Sequence, residues 1–223
     1  MLVSHSAFKP LKISYINAIS KGLKETVGDK QSFTEYEKYS FDVMSRAVEI
    51  DSVLDGLKIG IHYLEHADLE LISFSFSKVF VYHVENIVSR LTTVEERIKL
   101  LIATSLLKGN IKIASNKGKS QFESLVNDFP LIKHKLMLLS KVVSKYKVLR
   151  NKIAHESSYS SRDTIIASTL EDTEIELPIN HSEMKHHILS SATPEFSSLI
   201  LEIDESVNSV ISALGEIYID LIK

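Results

Sequence analysis

From Phe196 to Leu221 the chain carries Phe196, Ile200, Ile203, Val207, Val210, Leu214, Ile217 and Leu221 at alternating spacings of four and three. That is the period of one helix face and not of a strand. A helix this regular must bury its stripe. The spacing fits burial in the core of its own chain and burial against a second subunit equally well. Thr193-Pro194-Glu195, just before the stripe, reads as a helix start, with Thr193 as N-cap and Pro194 in the first turn. Only 7 Gly and 4 Pro occur in the chain, which favours long helices over frequent tight turns.

The rest of the chain reads in the same way. Residues 7–27 predict a first helix, with Leu11, Tyr15, Ile19 and Leu23 four apart. Residues 34–66 predict a long one, its stripe formed by Val43, Ala47, Ile50, Leu54, Leu57 and Ile61. Gly56 and Gly60 beside that stripe permit close packing. Residues 69–91 are rich in Phe, Val and Ile, among them Ile72, Phe74, Phe76 and Tyr82. Their length favours a buried helix over a strand, despite the alternation in Leu71–Phe76. Thr93 with Glu96 has the capping-box spacing and opens a helix at 94–107. Residues 108–120 read as a loop, either solvated or lying over a substrate groove, and 120–128 as a short helix. A helix over 130–155 follows, with Pro130 in its first turn. Thr164–Ser168 and Glu174–Ile179 flank an acidic turn and suggest a short β-hairpin within 163–179. The expectation is an all-α, up-and-down helical bundle in a single domain spanning 1–223, with no internal repeat or linker.

The absence of cysteine excludes disulfides, thiolate metal sites and a cysteine nucleophile, and fits a reducing compartment. The N-terminal stretch has no uninterrupted apolar core of a signal peptide, and no run approaches the ~18 apolar residues of a membrane span. A cytoplasmic protein with no membrane partner is expected. His62 and His66 are four apart with Glu65 between them, and His181 precedes His186-His187. The first pair lacks the order of a zinc-protease helix and a third ligand, so surface histidines are expected in both places and no metal is assigned. No glycine-rich phosphate loop and no Gly-x-Ser-x-Gly elbow occurs.

The net charge of −3 hides strong segregation. Residues 1–107 are net −2, residues 108–155 net +9, and residues 156–223 net −10. Between Phe129 and His155 there are seven basic residues and no acid. Such a run is either a polyanion-binding stripe or a helix whose lysines pair with the acidic C-terminal third.

At the end of that run stand Arg150 and His155, five residues apart, in Leu149-Arg150-Asn151-Lys152-Ile153-Ala154-His155-Glu156. Arginine supplies fixed charge and a planar fork for phosphate oxygens, and histidine moves protons near neutral pH. Together such groups can cleave a phosphodiester without a metal. None of Arg46, Arg90, Arg97 and Arg162 has a His five residues on. Chance supplies about 0.2 such pairs in a chain like this, and about 0.01 once Asn must follow the Arg. On the stripe Ile132, Leu136, Leu139, Val143, Tyr146, Arg150 and Ile153, the guanidinium falls where an apolar residue is expected. There it needs a buried carboxylate partner or a cleft. Asn151 and His155, four apart, share a helix face.

Arg-Asn-x-x-x-His near the end of a long helix resembles the signature of the HEPN superfamily (higher eukaryotes and prokaryotes nucleotide-binding). The resemblance covers the motif, its Lys-rich helix and the helical region around it, about 66–223. It leaves 1–65 as an N-terminal helical extension, in a chain longer than a minimal HEPN toxin. It implies a bundle of four or five helices, often dimerised so that two motif helices face each other across a cleft. It also implies a metal-independent endoribonuclease needing no cofactor. Arg150 would stabilise charge on the phosphorane, Asn151 would orient the imidazole or a phosphate oxygen, and His155 would shuttle the proton. Lys141, Lys145, Lys147 and Lys152 would bind RNA. Glu85, set among apolar residues, is a candidate acid for orienting Arg150, with Arg90 or solvent as its other partners. The implied partners are RNA, a second copy and, for a toxin or a defence or stress protein, an antitoxin or regulatory protein. Two other classes compete: a noncatalytic HEPN-like module for RNA binding or dimerisation, and a helical interaction protein in which Arg150 and His155 are structural.

Overall fold

The computed structural model describes residues 1–66, 74–107, 109, 111–156, 158–172 and 181–220. Among these the chain is helical and contains no strand, as the apolar periodicity predicts. Two 3-10 turns, Leu2–Ser4 and Ser6–Leu11, lead into α1 (Lys12–Thr26), α2 (Glu35–His66) and α3 (Phe76–Ser105). Then come α4 (Asn116–Asn127), α5 (Pro130–His155), α6 (Arg162–Asp172) and α7 (His181–Asp220).

Local hydrogen bonds explain where these helices begin. At α2, Thr34 Oγ1 accepts from the Glu37 N–H at 3.1 Å and Glu37 Oε2 accepts from the Thr34 N–H at 2.8 Å, a reciprocal capping box. Lys21 Nζ donates to the same carboxylate oxygen at 2.7 Å, and that bond is the main reason the Glu37 carboxyl sits below its usual pKa. At α4, Ser115 Oγ accepts from the Gly118 N–H at 3.0 Å. A Cβ on Gly118 would collide with the Lys112 carbonyl oxygen, so the corner requires glycine. α5 opens on Pro130, where the missing N–H falls among amides that have no partner within the helix.

Four expectations are corrected. First, residues 163–172 are helical rather than half of a hairpin, and Glu174–Ile179 lies outside the described residues. Ser161 and Thr164 cap α6 reciprocally, at 2.8 Å and 3.1 Å, and Thr164 and Ala167 are buried one turn apart. Second, α3 is continuous through Thr93. The Thr93 hydroxyl donates to the Ser89 carbonyl at 3.0 Å within the helix and so does not cap a new one. The helix begins at Phe76, while Leu71 and Ile72 lie outside the described residues. Third, α7 begins at His181 and carries Pro194 in its interior. Burial of Met184 and Ile188 before the proline, and of Phe196, Leu199 and Ile200 after it, holds the two sides in one helix. Fourth, α1 does not bury its expected stripe. Leu11 is buried and Tyr15 half-buried, but Leu23 is 64% exposed and Ala18 faces inward instead.

The contacts define two compact units. The first comprises Met1–Ser52, Val94–Ser140 and Asp204–Lys223. In it Phe8 stacks on Tyr218 at 5.6 Å, the Leu2 N–H donates to Asp51 at 2.7 Å, and Arg97 reaches Glu49 at 2.9 Å. The second comprises Val53–Thr93 and Lys141–Ile203. In it Gly56 and Gly60 give the close packing expected of them. Side chains at these positions would meet the Arg90 guanidinium and Ile87 Cγ1. The α7 stripe is buried from Phe196 to Leu214, so its partner is its own chain; Ile217 is half-buried and Leu221 lies outside the described residues.

An interior proline forfeits a helical hydrogen bond and crowds the preceding turn, at about 3 kcal/mol relative to alanine. Pro194→Ala should therefore raise stability by about 1–3 kcal/mol, read as an upward shift of the urea midpoint. An unchanged or lower midpoint would show that packing requires the proline's geometry.

Candidate functional site

Along α5 the stripe is buried at Ile132, Leu136, Leu139 and Val143, half-buried at Tyr146 and Ile153, and exposed at Arg150. The apolar face thus turns out of the core over the helix's last turns. Arg150, Asn151 and His155 are all exposed there. Arg150 Nη1 donates to Asn151 Oδ1 at 3.3 Å. This corrects the expectation of a buried carboxylate partner for Arg150, of which there is none among the described residues. Arg150 is exposed to water. Asn151 contacts Arg150, and the His155 side chain has no hydrogen bond or ion pair among the described residues. Lys152 and His155 occupy the last turn of the helix, where free carbonyls favour positive charge.

Glu85 serves a different purpose from the expected one. Its Oε1 accepts the backbone N–H of Tyr159 at 2.6 Å, and among the described residues it does not reach Arg150. Arg90 is not its partner either, since Arg90 Nε donates to Asn86 Oδ1 at 2.8 Å. Glu85 thereby ties the chain just beyond His155 to α3. One turn before Arg150, the Tyr146 hydroxyl donates to Glu195 Oε1 at 2.9 Å. Burial first, and then the Glu195 carboxylate, push the Tyr146 pKa well up, so the phenol remains a donor.

Lys141, Lys145, Lys147 and Lys152 are exposed along the same helix. Among the described residues, Lys141, Lys145 and Lys152 make no ion pair with the acidic C-terminal third. The expected loop 108–120 is partly helical, because α4 starts at Asn116. Ile111, Lys112 and Ile113 border a hollow of about 670 Å³ within the first unit, whereas the Arg150 motif belongs to the second.

One feature of the second unit went unread in the sequence. Tyr63 stacks on His83 at 5.3 Å between ring centroids, and Tyr82 meets His83 edge-on at 5.4 Å. His62 meets Tyr63 edge-on at 6.5 Å. Phe74 and Tyr82, expected inside a buried helix, are 66% and 63% exposed. They border a hollow of about 390 Å³ with Lys78, Val79 and His83. The signal was available: at 100° per residue, Tyr82 falls opposite the α3 stripe of Phe76, Phe80, Val84, Ile87 and Leu91.

Among the described residues no group of three or more His, Asp or Glu side chains is placed to hold a metal ion, and no helix is long and apolar enough to cross a membrane. His62 and His187 are exposed, and the side chains of His66 and His181 lie outside the described ones. No family model, no curated protein and no solved structure matches this chain.

Burial lowers the His83 pKa below its ordinary 6.5. As pH falls through about 6.5 the unfolded imidazole takes up its proton first, so this contribution to stability exists above that pH and is lost below it. The urea midpoint should fall between pH 7.5 and 5.5, and His83→Phe should lose less over the same span. An identical pH profile in the two proteins would remove His83 as a cause.

Proposed function

We propose that this chain is a metal-independent endoribonuclease of the HEPN type, acting through Arg150, Asn151 and His155 in an all-α frame. One observation carries the reading: a fixed cation and an amide in contact with it, and an imidazole, all stand exposed on the last turns of one helix. That helix also presents Lys141, Lys145 and Lys152, unneutralised among the described residues, to a polyanion.

The reaction follows from the groups present. His155 as base takes the proton of a ribose 2′-OH, and the 2′-oxygen attacks phosphorus. Arg150 spreads its charge over the non-bridging oxygens, while Asn151 holds the guanidinium in place. The P–O5′ bond breaks as an acid protonates the leaving 5′-oxygen. One imidazole does not serve as base and acid in a single pass. A second copy, bringing its own His155 to the opposite side of the phosphate, completes the site. The open position of the motif supports such an approach. The products are a 2′,3′-cyclic phosphate and a 5′-hydroxyl, and DNA, lacking the 2′-OH, survives. An open site of this kind needs restraint in a cell, the part an antitoxin or another regulatory protein would play.

The test is cleavage of mixed cellular RNA in excess EDTA by the wild type and by His155→Ala. The expected result is cutting that leaves cyclic phosphates, slowed at least about 100-fold by the substitution. Arg150→Ala should cost about 10²–10³-fold. Sedimentation at micromolar concentration should show a dimer, and a strict monomer would defeat the composite site. That the His155 side chain has no hydrogen-bond partner among the described residues favours one second reading, a noncatalytic RNA-binding module. Salt-dependent RNA binding, with no cutting by a well-folded wild type, would select it.

A further inference from the structure

We infer that the exposed aromatic row on α2 and α3 is a stacking platform for an unpaired base of single-stranded RNA, with Lys78 holding an adjoining phosphate. The inference rests on the RNA reading above and adds the form of RNA that the site takes.

Tyr63 and Tyr82 are both set against His83, and Phe74, just before α3, borders the same hollow as Tyr82. Tyr63 lies nearly parallel to His83, at 16°, and Tyr82 stands edge-on to it. Burial lowers the His83 pKa and so favours the uncharged ring at the centre of the cluster. Yet Phe74, Tyr82 and Tyr63 leave half or more of their surface in water. Aromatic faces left in water and held by neighbours are what a nucleobase stacks on, at little ordering cost.

The hollow beside them measures about 390 Å³, at the small end of the range of about 300–1,000 Å³ for ligand sites. That suits one nucleotide better than a long ligand. Among the described residues its lining contains no carboxylate, and Lys78 in that lining is exposed and makes no ion pair or hydrogen bond. Rings plus the Lys78 ammonium complement a base plus one phosphate. A duplex keeps its base faces stacked on each other, so the platform selects single strands.

The motif is within reach along the chain. Tyr82 precedes Glu85 by three residues of α3, a rise of about 4.5 Å. Glu85 holds the Tyr159 N–H, and Tyr159 follows His155 by four residues, at most about 14 Å of backbone. A strand anchored on Tyr82 can therefore reach His155 within the length of a short oligonucleotide.

The test uses the full chain carrying His155→Ala, so that RNA is not cut, and a ten-nucleotide single-stranded RNA containing 2-aminopurine. Binding is followed by anisotropy, and stacking by quenching of the base analogue. Tyr82→Ala and Phe74→Ala should each weaken binding about 5- to 100-fold and abolish quenching, with thermal melts unchanged. Tyr82→Phe should restore both, and a duplex of the same sequence should give no quenching. Lys78→Ala should reduce the salt slope by about one. Unaltered binding and quenching in Tyr82→Ala and Phe74→Ala would overturn the inference, as would capture of an apolar protein partner, and no RNA, through these rings. If the wild type cuts RNA and Tyr82→Ala cuts it equally well, the platform fails and the ribonuclease stands. If the oligonucleotide stacks through Tyr82 and the wild type cuts nothing, the ribonuclease fails and the platform stands.

Discussion

Each large apolar side chain that α7 removes from water contributes about 1.5–3 kcal/mol, and both compact units draw on that helix. Val207, Val210, Ile211, Leu214 and Tyr218 are buried in the first unit, and Phe196, Leu199, Ile200 and Ile203 in the second. Tyr218 shows the condition attached to this burial. Its hydroxyl lies 2.7 Å from Ser105 Oγ, and the Ser105 carbonyl accepts from the Tyr39 hydroxyl at 2.9 Å. A phenol taken into a core must bring a hydrogen-bond partner, and burial drives the pKa of both phenols well up, which keeps them neutral.

Much of this arrangement is legible in the sequence, where a long stripe meets an unambiguous end. The six apolar positions read along α2 are all buried, and α5 runs from Pro130 to His155 as its pattern predicts. The misreadings share one physical origin: residues with two local uses. Thr93 has the spacing of a cap and instead bonds back to Ser89. Pro194 suits a first turn and instead sits where packing on both sides outweighs one lost bond. The β-branched run after Thr164 resembles a strand until the Ser161 cap commits it to a helix. Local hydrogen bonds decide the first and third cases, and burial on both sides of the proline decides the second.

The candidate site divides in the same way. Periodicity puts Arg150, Asn151 and His155 on one helix end, and that is where they lie. It also assigns Arg150 to the apolar face, because a helical pattern carries no information about where the helix leaves its neighbours. After Val143 the core recedes, and the same angular position that is buried at Leu139 is in solvent at Arg150. The aromatic row was obscured for the opposite reason: a segment dense in Phe, Val and Tyr was read as buried throughout, although its rings divide between two faces of α3.

Glu85 imposes a constraint of length rather than of charge. Its carboxylate accepts one backbone N–H, and that amide sits in the segment leaving the helix that bears His155. A glutamine would present an oxygen at the same distance from the backbone, whereas an aspartate, one methylene shorter, would carry the same charge and fall short. Chains descended from this one can lose the negative charge at position 85 more readily than they can lose its reach, and the path of the polypeptide beyond His155 is inherited through that reach.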